Sequence, residues 1–141
     1  MGLAISRSEL QAAAQAKLDD ALLLLKSGRF SNAYYLAGYA VELGLKACIA
    51  RQIAGETIPD SSLLKGVLSH EFDKLVGLAG LKSELQTAQD KDSKFATFWG
   101  LVSEWTPDSR YEATEVTSSQ LMIAAVGNPA SGVLQWIKNF W

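Results

Sequence analysis

The sequence is poor in the residues that build metal, redox and disulfide chemistry. Its 141 residues include one cysteine and one histidine. A disulfide framework, a Cys/His zinc site and a Cys-X-X-Cys pair therefore each lack their ligands. Three prolines and 20% charged residues exclude a disordered tail, a collagen-like repeat and a coiled-coil rod. Basic excess is missing too: 13 Lys and Arg face 15 Asp and Glu, for a formal net charge of −2. Nothing here neutralises a run of phosphates, so DNA binding is not expected.

Long apolar runs are absent, and no stretch could span a bilayer. Arg7 and Glu9 interrupt any signal-like segment. The opening Met1-Gly2-Leu3-Ala4-Ile5-Ser6 fits the minimal myristoylation pattern. It lacks the polybasic second signal that stable anchoring needs, and reads as a start leading into a helix. No Gly-rich phosphate loop, Ser-His-Asp set or Glu–His metal repeat occurs. These absences predict a reduced, cytoplasmic domain without metal, cofactor or membrane partner.

What is present is helical periodicity. With 48% hydrophobic residues, the chain repeats apolar positions at the 3.6 period throughout and alternates nowhere. Ser6-Arg7-Ser8-Glu9 is a capping box opening a first helix with the stripe Leu10, Ala14, Leu18, Ala21, Leu22 and Leu25, stopped at Gly28. A second helix runs from about Ser31 to Ala54, before Gly55. Glu56 to Ser69, with Pro59, Asp60, Ser61 and Ser62, reads as a loop with room for one helical turn.

Ser69 is placed to cap a short helix carrying Phe72, Leu75, Val76 and Ala79, closed by Gly80. A further stretch carries Leu81, Leu85, Ala88, Phe95, Phe98, Trp99, Val102 and Trp105, with an interruption at Asp90-Lys91-Asp92-Ser93. Thr106-Pro107-Asp108-Ser109 is a turn. The last helix starts near Ser118 or Ser119, breaks at Gly127-Asn128-Pro129 and resumes through Val133, Leu134 and Ile137. The expectation is one all-α domain over residues 1–141, an up-and-down four-helix bundle with an additional short helix.

The second helix is the most informative. Ala33, Ala37, Ala40, Gly44 and Ala47 form a seam of small residues. Val41, Leu45, Cys48 and Ile49 form a second face, and Tyr35, Tyr39, Glu42 and Lys46 a third. A helix apolar or aromatic almost all round is buried on several sides. Glu42 and Lys46 stand four apart in the favourable order, worth about 0.2–0.5 kcal/mol if exposed. If buried, they are either a structural ion pair or a polar cluster with Tyr35 and Tyr39 along a groove.

Ala33-Tyr34-Tyr35-Leu36-Ala37-Gly38-Tyr39-Ala40-Val41-Glu42-Leu43-Gly44-Leu45-Lys46-Ala47 resembles the signature helix of the HEPN family, the higher eukaryotes and prokaryotes nucleotide-binding domain. Ser69-His70-Glu71-Phe72-Asp73-Lys74-Leu75 resembles the histidine-led segment after the long loop. Trp105 with Ser109-Arg110-Tyr111 resembles the Arg-Tyr element ahead of the last helix, and Gly132 to Lys138 is similar to the end of small bacterial members.

The resemblance implies a helical bundle, often a homodimer, encoded in prokaryotes beside a minimal nucleotidyltransferase. It also implies a nucleotide or RNA ligand. Many members are toxin-like, metal-independent ribonucleases using an arginine and a histidine with four to six residues between them. There the histidine serves as general acid or base for the RNA 2′-hydroxyl. The arginine stabilises phosphorane charge. This chain departs from that pattern: after Arg110 the corresponding positions hold Glu115, Val116 and Thr117, and the lone histidine, His70, comes earlier.

The candidate binding residues are thus Tyr35, Tyr39, Glu42, Lys46, His70, Arg110 and Tyr111, with His70 and Arg110 as catalytic candidates. Each also has a plain reading. His70 could satisfy a helix-end backbone group, and a loop arginine is usually solvated, although the corner Trp105-Thr106-Pro107 could fix it for bidentate contact with a phosphate or carboxylate. Trp99, Trp105, Trp136 and Trp141 read as core or interface anchors. Cys48 reads as a small buried hydrophobe, and Asp19-Asp20 as solvated charge.

Overall fold

In the computed structural model, which describes residues 5–53, 58 and 60–141, the chain folds into α-helices and one 3-10 turn. The long helices α1 (Arg7–Lys26) and α2 (Phe30–Gln52) form a hairpin. They are followed by α3 (Ser61–Gly66), α4 (Phe72–Leu78), α5 (Lys82–Lys91) and α6 (Ser93–Val102). The 3-10 turn (Pro107–Tyr111), α7 (Val116–Gly127) and α8 (Val133–Lys138) complete the order. No strand occurs among the described residues, which agrees with the all-helical expectation.

Local chemistry sets the boundaries. At the start of α1 the Glu9 amide donates to Ser6 Oγ at 3.1 Å, and the Ser6 amide to Glu9 Oε2 at 3.1 Å, the expected reciprocal cap. Gly28, at φ +75°, lets Arg29 N–H reach Leu24 O at 2.8 Å and its own N–H reach Leu25 O at 3.1 Å. That paired arrangement closes a helix with a left-handed residue, which glycine adopts without Cβ strain.

The predicted interruption near Asp90–Ser93 falls at Asp92. Its amide ends α5 on Ala88 O, while its Oδ1 accepts from the amides of Lys94 and Phe95 to start α6. The break at Gly127-Asn128-Pro129 is as placed, with Asn128 Oδ1 accepting from the amides of Ala130 and Ser131. Ser131 Oγ then donates to Asp92 Oδ2 at 2.7 Å, so the two helix breaks are pinned to each other.

Several boundaries differ from the expectation. The last helix begins at Val116, earlier than Ser118, because Ser119 is wholly buried and donates through Oγ to Phe30 O rather than capping. Ser69 does not cap α4, whose N-cap is Glu71. It instead accepts from the Glu71 amide, shaping the turn that carries His70. The helical turn allowed for within the loop is α3, six residues capped by Asp60. Leu22, placed on the buried stripe of α1, is 39% exposed. Met1–Ala4 of the myristoylation-like pattern, the expected end of the second helix at Ala54 and Gly55, and Glu56, Thr57 and Pro59 of the expected loop lie outside the described residues.

Helix α2 is central, in contact with α1, α4, α7, α8 and the 3-10 turn. Its seam of small residues is buried along its length, and Val41, Leu45, Cys48 and Ile49 are buried with it. Full burial of a residue such as Leu45 or Ile49 stabilises by about 1.5–3 kcal/mol, so this helix anchors the core. Cys48 packs against α8, with Sγ 3.8 Å from Ile137 O, and burial pushes its thiol pKa up to about 11. Trp99 and Trp105 are core residues, while Trp136 and Trp141 pack half-buried on the core's edge. Asp19 and Asp20 are exposed, as expected.

Candidate functional site

Gly38 is the keystone of the site and lies off the small-residue seam. A Cβ there would run into the five-membered part of the Trp105 indole, so only glycine leaves room for that ring against α2. Trp105 follows the end of α6 and is 4% exposed. Its Nε1 donates to Tyr35 O at 3.1 Å. One face stacks on Phe72, with centroids 5.3 Å apart and planes 4° from parallel, and the Tyr35 ring lies 5.9 Å away. Phe72 is the first residue of α4, so one tryptophan fixes both the entry to α4 and the corner after α6 onto α2.

Between these two corners lies a groove of about 760 Å³ with Phe72 and Trp105 among its lining residues. That size suits a small ligand or an inserted side chain. His70 stands on one side, before α4, and Arg110 on the other, in the 3-10 turn. The two catalytic candidates, far apart in sequence, therefore share one groove. Three carboxylates line it as well, Glu71, Asp73 and Asp108.

The other five candidates stand outside that lining. Glu42 is buried behind His70, with a side chain only 4% exposed. Its Oε1 is 2.6 Å from His70 Nδ1, and its Oε2 accepts from Lys46 Nζ at 3.2 Å. The pair predicted along α2 is thus a triad that includes the histidine, and Lys46 is itself mostly covered at 18% exposure. Tyr39 sits beside it, its phenol pKa raised by burial first and by the Glu42 charge second. Lys17 of α1 lies over its ring at 5.9 Å.

Arg110 is exposed, with its guanidinium 4.8 Å from the centroid of the Tyr111 ring. The Tyr111 phenol first, and Tyr35 second, hold the arginine's pKa above its ordinary value. Tyr111 is 76% exposed and Tyr35 packs on Trp105. Glu115, Val116 and Thr117, the positions after Arg110 singled out above, form the exposed start of α7.

Gly38, Phe72 and the three carboxylates are not among the site residues expected from sequence, where Phe72 reads as core. Only Gly38 offered a signal there, as a second glycine in a helix otherwise rich in alanine. A second concavity, of about 440 Å³, lies against Trp136 at the α7–α8 connection. Its charged groups are largely committed: Asp92 to capping and Ser131, and Lys138 to Gln15 Oε1 at 2.6 Å. Among the described residues no three His, Cys, Asp or Glu side chains gather as a metal site. No described helix is long and apolar enough to cross a membrane.

No curated protein and no solved structure matches the chain. The family profile of the HEPN domain matches residues 8–140 and takes in both long helices, the Trp105 corner and the groove. By that match over nearly the whole chain, the protein belongs to the HEPN domain family.

Proposed function

We propose that this HEPN domain is a recognition module, working as a homodimer. Its groove receives a nucleotide or a surface of a nucleotidyltransferase partner, and the family's Arg-x4-6-His ribonuclease motif plays no part. The observation that carries this reading is the groove's composition. His70 and Arg110 share one recess with Glu71, Asp73 and Asp108. A single phosphate can be met by Arg110. A run of phosphates would meet three carboxylates, so extended RNA is disfavoured and a partner that also offers hydrogen-bond donors is favoured.

The test measures mass in solution and binding of AMP and of a nucleotidyltransferase encoded beside this chain, with Arg110→Ala alongside. Binding that is weakened by that substitution supports the proposal. A monomer that binds none of these overturns it.

A second reading is favoured by one specific contact. The carboxylate behind His70 resembles the arrangement that orients a general base, with Arg110 available to stabilise charge on a phosphorane. In this reading the protein is a metal-independent endoribonuclease with a rearranged site. His70 Nε2 would accept the proton of a ribose 2′-hydroxyl as that oxygen bonds to the adjacent phosphorus. The P–O5′ bond then breaks, the 5′-oxygen leaves as a hydroxyl by taking a proton from water or from the protonated His70, and a 2′,3′-cyclic phosphate remains. Cleavage of RNA in EDTA, lost in both His70→Ala and Arg110→Ala, is the result this reading requires. Intact RNA with the wild-type protein excludes it.

A further inference from the structure

We propose that Glu42 is a positioning residue that holds His70 in its Nδ1–H tautomer, so that Nε2 faces the groove as a hydrogen-bond acceptor. An ionised carboxylate has no proton to donate, so the 2.6 Å contact between Glu42 Oε1 and His70 Nδ1 requires the proton on Nδ1. Lys46 Nζ, which can only donate, lies on the other oxygen at 3.2 Å and pairs the covered carboxylate with an opposite charge. The ring's other nitrogen makes no hydrogen bond among the described residues, and the side chain is 55% exposed where it lines the groove. Carboxylate, imidazole and recess are therefore arranged in series.

The consequence is a statement about the ligand. With Nε2 as an acceptor beside Glu71 and Asp73, this side of the groove takes hydrogen-bond donors, a hydroxyl or an N–H, and Asp108 adds an acceptor in the turn that carries Arg110. Arg110 alone offers the charge-matched contact for an anion. This consequence rests on the reading of the groove as the binding site; the tautomer does not.

Because the chain has a single histidine, the tautomer can be read without assignment. The protein is labelled with 15N-histidine and its imidazole nitrogens are recorded without ligand, at a pH where the ring is neutral. The expected spectrum has Nδ1 protonated and Nε2 unprotonated. The Nδ1–H form leads by about tenfold or more, the weight of a charge-assisted hydrogen bond. A spectrum with Nε2 protonated, or an even mixture, overturns the proposal whatever the groove binds.

Reactivity gives the second readout, since a carboxylate on Nδ1–H makes Nε2 the better nucleophile. Acylation of His70 by diethyl pyrocarbonate should occur at Nε2 and slow severalfold in Glu42→Gln. An unchanged rate would reduce the contact to a structural tie and overturn the positioning role. The wild-type spectrum decides the tautomer even if Glu42→Gln folds poorly. Failure to bind AMP or a nucleotidyltransferase would count against the proposed function and leave the tautomer result intact.

Discussion

Two faces of α2 bury their residues for different ends. On the face toward α8, Gly44 and Cys48 meet Ile137 in an apolar contact whose nearest charge, the exposed Arg51, lies at its edge and donates to Phe140 O. On the face toward the groove, Gly38 seats Trp105, and Glu42 is buried between Lys46 and His70. The first face needs no explanation beyond packing. The second is costly by comparison, because a buried ion pair is often matched or bettered in stability by apolar residues of similar volume. What the polar face achieves, and an apolar one could not, is to fix the direction of an imidazole at the edge of a recess. The difference separates what α2 does for the fold from what it does for the site.

The sharpest way to test that contrast is to add one methyl group to each face. Gly38→Ala drives its Cβ into a rigid indole held by a stack and a hydrogen bond. Overpacking of this kind should cost about 3 kcal/mol. The groove should also distort, so groove ligands weaken together with stability. Urea unfolding of the variant checks the first effect. An unfolding midpoint equal to wild type would mean that Trp105 is free to move and that the corner is not fixed.

A smaller effect is expected from Lys46→Met. It removes the ammonium but leaves His70 on Glu42, so the charge is not stranded. A loss of about 1.5–3 kcal/mol, the worth of a hydrogen bond to a charged group, is the expected outcome by denaturant unfolding. A variant as stable as wild type would show that the lysine is solvated in solution and that the two faces of α2 are energetically alike.

Much of this architecture was legible because it is local. The Ser6 and Glu9 cap, the stop at Gly28, the break at Asp92 and the small-residue seam all act within a few residues of the chain, where spacing records them. The site was legible only in part. His70 and Arg110 stood out as the lone histidine and an arginine at a stiff corner, but nothing in the sequence says that they share a recess. Gly38 was missed because its reason, Trp105, comes from far along the chain. Tyr35, Tyr39, Glu42 and Lys46 were identified as one face of a helix. The face supports the groove from behind, since the segment before α4 lies over Glu42 and puts His70 in front. That layering is set by tertiary packing and leaves no periodic trace.

Gly44→Ala is the counterpart of the first substitution and should change little. Its new Cβ would lie 3.1 Å from Ile137 Cγ2 and 3.2 Å from Leu134 Cδ1, tight contacts with side-chain ends that can yield by a few tenths of an ångström. The strain is offset by the helix preference of alanine over glycine, about 1 kcal/mol. A net change within about 1 kcal/mol is expected. A loss as large as that of Gly38→Ala would show that the apolar face is as unforgiving as the polar one.

At neutral pH the smallest expected effect belongs to the sealed face, and it grows only as the pH becomes alkaline. Burial raises the Cys48 thiol from 9.0 to about 11. A raised folded pKa favours the neutral form, so its contribution to stability is complete below pH 9.0 and is lost as pH climbs toward about 11. Cys48→Ala should therefore flatten any alkaline decline in melting temperature within that window, at the cost of a small cavity. At neutral pH a thiol reagent should label wild-type Cys48 only as fast as the core opens. Fast labelling of folded protein would mean that α8 lifts readily from α2. The seal that distinguishes the two faces would then be a loose lid, and the contrast between them would have to be redrawn.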